Sequence, residues 1–195
     1  DGSRFAFKAV NGKQESLMSL FSVDNIKISE MEMQDGKVHG AFREFYDNGK
    51  VKYEAKIFNG KINGQAIKYF RNGNPQLEEN FTDDIMNGSR REFYENGNLL
   101  SEVNVINNLP EGEKIIYFQS GITAMKAFYI KGKMEGTLKS WLNNGQPAFE
   151  IIYKNNNPIS GECISGDKRT RLKGDDLINW QKIKCWGNDH KILGA

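Results

Sequence analysis

Gly40-Ala41-Phe42-Arg43-Glu44-Phe45-Tyr46-Asp47-Asn48-Gly49 returns with its landmarks in place at residues 64–73, 88–97, 112–121 and 136–145, each copy 24 residues after the last. A fixed period of this size marks one supersecondary unit that buries its apolar face only by stacking on copies of itself. The fold class follows from what one copy can form.

Each copy reads as a β-hairpin. Phe45-Tyr46, Tyr69-Phe70, Phe93-Tyr94, Tyr117-Phe118 and Trp141-Leu142 are strand formers placed just before a turn. That turn is Asn48-Gly49, Asn72-Gly73, Asn96-Gly97, Ser120-Gly121 or Asn144-Gly145, and Asn-Gly is the strongest short-range hairpin signal. A second strand alternates apolar and polar residues, as in Val51-Lys52-Tyr53-Glu54-Ala55-Lys56-Ile57, with Glu54, Glu78, Glu102 and Glu150 in one slot. Asn59-Gly60-Lys61 then closes the unit, with Gly36-Lys37 and Gly132-Lys133 as counterparts. The second turn is expected at Asp83-Asp84 in the next copy and at residues 107–110 in the one after it.

The frame extends to both sides. Run backwards it puts Ser16, Phe21 and Asn25 in the places of Gly40, Phe45 and Gly49, which gives a degenerate unit at 16–39 and a half-unit at 4–15. Residues 16–24 lack a glycine turn, so a short helix competes with a hairpin there. The last copy is one residue longer than the others, and the extra residue is assigned to the loop at 155–158. The expected architecture is all-β: one elongated single-sheet antiparallel meander of stacked hairpins over 1–160, with units starting at 40, 64, 88, 112 and 136. A small cap over 161–195 follows.

The Gly, aromatic and Asn-Gly landmarks, shown complete from Phe45-Tyr46-Asp47-Asn48-Gly49 through Asn59-Gly60-Lys61-Ile62-Asn63-Gly64, resemble the MORN (membrane occupation and recognition nexus) repeat family. The resemblance covers residues 16 to about 160 and is closest to the bacterial longer-period variant. It implies a hairpin-stacked sheet that serves as a binding or scaffolding surface, without shared catalytic residues; bacterial members often carry an antitoxin-like label. The segment from Gly161 to Cys185 is also similar to the ending of exported bacterial members.

Composition agrees with a thin, glycine-punctuated array. The chain has 195 residues, 38% of them hydrophobic, and 20 glycines, with Lys+Arg 27 against Asp+Glu 25. Interspersed signs and a net charge of +2 argue against nucleic acid as a partner. No apolar run approaches the roughly 18–20 residues of a membrane-spanning helix. In the cap, Asp175-Asp176 start and Gly187 stops a short helix over 175–184 that carries Leu177, Trp180 and Ile183 as an apolar stripe. Cys163 and Cys185 are the only cysteines; a disulfide between them, with buried free thiols or a cytosolic redox pair as the alternatives, fits an exported protein of the periplasm, envelope or medium, a cytoplasmic setting being the other option.

Signatures of chemistry are scarce. No phosphate-binding loop, nucleophile elbow or metal-ligand spacing is present, so neither enzymatic activity nor a cofactor is expected, and His39 and His190 read as solvated. The glutamate slot reads as a polar face balanced by cross-strand Lys and Arg. Adjacent aromatics point to opposite faces. An odd turn loop would put the Phe45 column with Val51, Tyr53 and Ile57, leaving Tyr46, Phe70, Tyr94 and Phe118 to line the other face, either packed on one another or as a ligand platform.

Ala124, Phe128, Ala148 and Ile152 form an apolar strip for which the helix is the expected cover, with a partner-binding patch as the alternative. Lys168, Arg169, Arg171 and Lys173 make a basic patch too small to hold a membrane by itself. Two function classes stay open. One is a non-enzymatic protein-binding scaffold, with an immunity-like role among its forms; the other is a carbohydrate- or cell-surface-binding module built on the aromatic columns.

Overall fold

The structure is a computed structural model that describes residues 3–10, 13–174 and 177. It divides into two compact units, Asp1–Gly97 and Asn98–Ala195. The first holds β1 (Arg4–Val10), β2 (Lys13–Phe21), β3 (Lys27–Gln34), β4 (Lys37–Phe45), β5 (Val51–Phe58), β6 (Lys61–Tyr69), β7 (Pro75–Thr82), β8 (Ile85–Met86) and β9 (Gly88–Phe93). The second holds β10 (Leu99–Ile106), β11 (Leu109–Tyr117), β12 (Thr123–Ile130), β13 (Lys133–Trp141), β14 (Pro147–Lys154), β15 (Asn157–Ser165) and β16 (Lys168–Arg171). Each unit is an all-β open antiparallel meander whose strand order is chain order, except that in the first the two-residue β8 pairs with β7 beside the path.

Two kinds of turn build it. After β4, Tyr46 N donates to Lys50 O at 2.8 Å and Gly49 N to Tyr46 O at 3.0 Å, enclosing the three-residue loop Asp47-Asn48-Gly49. Gly49 has φ +78°, the left-handed conformation that this loop demands of its last residue. The degenerate unit closes the same way: Ser22 N donates to Ile26 O, and Asn25 replaces the glycine at φ +63°. Residues 16–21 are therefore strand, and the competing helix does not form.

The second turn is a two-residue connection with both residues at positive φ, as at Asn59 and Gly60. Asp84, Asn108 and Asn156 take the left-handed conformation where other copies use glycine, which Asp and Asn tolerate best among non-glycine residues. This corrects two expectations. Leu109 and Pro110 belong to β11, opposite Ile106 and Val105, not to the turn. The segment at 155–158 holds no extra residue, because Lys154 pairs with Asn157 as elsewhere; the register shift at Ile159 in β15 falls where the other copies shift too.

Register decides the faces, and here the sequence-based assignment is overturned. The first loop is odd and Phe45 pairs with Val51, but the register shifts at once, so that Glu44 pairs with Tyr53 and Gly40 with Ile57. The extra residue of this bulge moves Tyr53 and Ile57 to the face opposite Phe45. Phe45, Arg43, Glu54, Ile67 and Tyr69 thus share one face, called the ladder face below. Phe42, Tyr53, Ala55 and Ala66 share the other, the core face.

In the second unit the core face carries Met125, Leu138, Phe149, Ile151 and Tyr153, all buried in one cluster. Leu142, the counterpart of Tyr46, packs into the same cluster. Strands also continue past the expected array end at residue 160. Cys163 pairs with Thr170, and the basic run becomes the edge strand β16. Of the expected cap helix only Leu177 is described, in helical conformation with its N donating to Gly174 O at 3.1 Å; Trp180, Ile183, Cys185 and His190 lie outside the described residues.

Candidate binding face

The repeated glutamate slot is the best-organised polar feature of the molecule. In the first unit Arg43 bridges two carboxylates, from Nη1 to Glu30 Oε1 at 3.3 Å and from Nε to Glu54 Oε2 at 3.3 Å. Lys27 Nζ holds the other Glu30 oxygen at 2.8 Å, and the Tyr69 hydroxyl donates to Glu54 Oε1 at 2.5 Å. Four adjacent strands are thereby tied across one face. The second unit repeats the motif where Tyr117 donates to Glu102 at 2.7 Å. Farther along, Lys126 pairs with Glu113 and Lys139 with Glu150, while Arg169 bonds Glu162 and lies 3.9 Å from Glu150.

Titration behaviour follows from these contacts. The hydrogen bond from Lys27, joined by Arg43, holds the Glu30 carboxyl below its ordinary range against the opposing effect of burial. Hydrogen bonding to Glu54, then to Glu30, raises Arg43 further. Burial first, and then the bond to Glu102, pushes the Tyr117 phenol up to about 12; Tyr69 is raised by burial and by Glu54 in the same way. Each of these shifts drives its group away from a change of protonation near neutral pH, so the ladder is built to hold shape rather than to move protons.

Beside the ladder, on the same face, lies an open groove of about 790 Å³. It arises where Met31 pairs with Phe42 and Met33 with Val38, so that three residues of β4 stand opposite Glu32 alone. Gly40 takes φ +113° there, and Glu32 Oε2 accepts from Ala41 N at 3.0 Å. The same shift recurs opposite Lys56, between Ala55 and Ile57. The His39 and Phe58 rings meet at 4.8 Å, tilted by 52°, and form an aromatic surface on which Phe58 is 54% exposed. Glu32, Lys56, Asn63 and Asp83 stand around it, Asp83 fixed by Asn63 Nδ2 at 2.7 Å. A cavity of about 160 Å³ continues toward Arg43, Glu54 and Ile67.

Residues singled out from sequence are distributed otherwise. Tyr46 is half-buried; its hydroxyl donates to Tyr69 O at 2.6 Å and the Arg71 guanidinium lies 5.3 Å from its ring centre. Phe70, Tyr94 and Phe118 are half-buried at the equivalent strand ends. Phe128 and Ile152 are exposed on the ladder face of the second unit, whereas Leu177 packs on the opposite, core face. Cys163 packs against the core cluster too. Lys168, Arg169, Arg171 and Lys173 are all exposed, Arg169 being neutralised by its carboxylate partners. His39, expected in solvent, is half-buried against Phe58. The groove itself has no linear motif; its one trace in the sequence is the landmark glycine.

Residues 38–59, 62–83, 86–107 and 134–155 match the MORN repeat variant. The last two matches start two periods apart, leaving room for the copy whose turn is Ser120-Gly121 in place of Asn-Gly. Comparison with curated proteins returned no match. MORN repeats point to a scaffold that binds, with proteins or membrane lipids as the class of partner. Among the described residues, no helix is long and apolar enough to cross a membrane, and no group of three or more His, Cys, Asp or Glu could hold a metal ion.

Proposed function

We propose that the chain is a non-catalytic repeat scaffold that binds a protein partner, and that the groove of the first unit receives an extended segment of it. The observation that carries this reading is the exposed Phe58 ring on the His39 ring, beside a ladder that fixes four strands. An aromatic anchor site with a few polar groups around it is what a peptide-binding groove needs. Glu32 and Asp83 flank the site with oxygens bonded to Ala41 N and Asn63, so they are held in place before any partner arrives.

An immunity-like role would be one instance of such binding, in which complex formation neutralises the partner. Export belongs to the same reading through the two cysteines, because a bridge persists only in an oxidising compartment. The carbohydrate-binding alternative needs open ring faces, and Arg71 stands over that of Tyr46.

Selection from a random peptide library on the immobilised protein tests the reading. Peptides with an aromatic or aliphatic anchor are expected, with binding lowered at least tenfold by Phe58→Ala and unchanged by Phe128→Ala on the second unit. Enriched peptides that bind Phe58→Ala as tightly as the parent would overturn the groove assignment. Saturable glycan binding lost on replacing Tyr94 and Phe118 would favour the alternative.

A further inference from the structure

The basic run of the second unit plays no part in the groove, and it is built as a sheet edge. Strand β16 pairs with β15, from Glu162 opposite Arg171 to Ser165 opposite Lys168, and among the described residues it ends the strand order. Lys168, Arg169, Thr170 and Arg171 are all exposed. Paired residues of an antiparallel ladder alternate between exchanging both backbone hydrogen bonds and exchanging neither. Leu172 N donates to Gly161 O at 2.8 Å, so Thr170 with Cys163 is the next bonded pair, and the N–H and C=O of Arg169 and Arg171 point away from β15. Leu172 and Leu177, next along the described chain, pack into the core cluster rather than along this edge.

The side chains give that outer row a sign. Arg171 shares the ladder face with its register partner Glu162, and Arg169 lies on the same face, bonded to Glu162 and 3.9 Å from Glu150. Lys139 stands 3.5 Å from Glu150, and Lys173 follows Arg171 and is exposed too. Along this border Lys139, Arg169, Arg171 and Lys173 outnumber Glu150 and Glu162, and neither Arg171 nor Lys173 has an ion-pair partner among the described residues. We propose that the free edge of β16 is a docking site for an extended acidic segment of a protein partner, which adds as a further strand with Asp or Glu at alternate positions. An antiparallel strand sets one residue directly opposite Arg169 and another opposite Arg171, each bonded to the outward N–H and C=O and sharing the arginine's face. Carboxylates two residues apart therefore meet both guanidinium groups. Backbone bonds supply the adhesion, and charge supplies the selection. The same cations repel the identical edge of a second copy, which leaves an acidic strand as the occupant.

Amide exchange followed by NMR on the full chain tests the proposal, with a synthetic peptide that alternates glutamate and threonine as the probe. In the free protein the amides of Arg169 and Arg171 should exchange fast and that of Thr170 slowly. Slow exchange at Arg169 and Arg171 before any peptide is added would show the edge already covered and overturn the proposal. The peptide should slow both amides several-fold and leave Thr170 unchanged; no binding, or binding without that protection, counts against strand addition. A peptide of the same composition with its glutamates in one block should bind about tenfold more weakly, and so should the alternating peptide N-methylated at its glutamates. Equal binding of either, or of a heparin fragment, would reveal a site for any polyanion and overturn the strand. Arg171→Glu, at an exposed position, should weaken the alternating peptide by about tenfold while the β circular dichroism is kept. Undiminished binding would place the peptide elsewhere, and if this variant loses its sheet the N-methylated peptide decides.

Discussion

Glu30 and Tyr117 show how single residues of the ladder respond to pH, with opposite signs. Glu30 is held below its ordinary range by Lys27 and Arg43, so its charged form is favoured by folding. That contribution is fully present above the carboxylate's unfolded value, and it is lost as pH falls through the lowered folded value. Stability should therefore decline on acidification below about pH 4, and less so in Glu30→Gln, where the carboxyl is absent; equal acid sensitivity of the two proteins in urea titrations would contradict this role. Tyr117, pushed up from an ordinary 10 to about 12, stabilises the protonated phenol. Its contribution is complete below about pH 10 and disappears as pH rises toward 12. A phenolate absorbance titration of the parent minus that of Tyr117→Phe should show one tyrosine with a midpoint well above free tyrosine. A difference curve centred near 10 would mean that burial and Glu102 do not act on it.

At the scale of the strand, Gly161 shows what the repeat frame does and does not disclose. It occupies the landmark slot one residue late, and its backbone is not left-handed like that of Gly40; close approach is what excludes a side chain. A Cβ there would lie 2.9 Å from Glu150 O, 3.0 Å from Ile151 Cγ1 and 3.1 Å from Leu172 Cδ1. Gly161→Ala should destabilise the second unit by about 1–3 kcal/mol through overpacking. Gly145→Ala, where a Cβ meets nothing within 4 Å, should cost only its left-handed backbone at φ +83°, about 1–2 kcal/mol. The two are separated by near-ultraviolet circular dichroism of the core aromatics, which should change in Gly161→Ala alone.

The hairpins were legible in sequence because Asn-Gly turns and aromatic pairs are local signals. The faces were not, because the shift after Phe45-Val51 inserts a residue with no signature of its own: Lys52, Ala124 and Ala148 all serve there. The groove was hidden for the same reason, since Glu32 reaches Ala41 N only through the matching shift between β3 and β4.

Over the whole chain, one repeat frame has produced two units with different means of support. The first is held largely by polar work: the Lys27-Glu30-Arg43-Glu54-Tyr69 ladder, and backbone bonds that join successive second turns, from Gly60 N to Val38 O and from Asp84 N to Ile62 O, both 3.0 Å. Exposed or half-exposed ion pairs contribute about 0–1 kcal/mol each. The second keeps the same turn bonds, from Gly132 N to Pro110 O and from Asn156 N to Met134 O, and adds the Phe149-Ile151 cluster. Burial of large apolar side chains contributes more than the ladder can. Repeat arrays gain stability from nearest-neighbour contacts, so unequal contacts should give unequal unfolding rather than one transition. Amide exchange in rising urea should show β3–β6 losing protection before β12–β14. Phe149→Ala, at a cost of about 3–5 kcal/mol, should bring the exchange of β12–β14 down to or below that of β3–β6 while leaving the latter in place. Simultaneous loss of protection in both units, in the parent and in Phe149→Ala alike, would show that the cluster does not set the order.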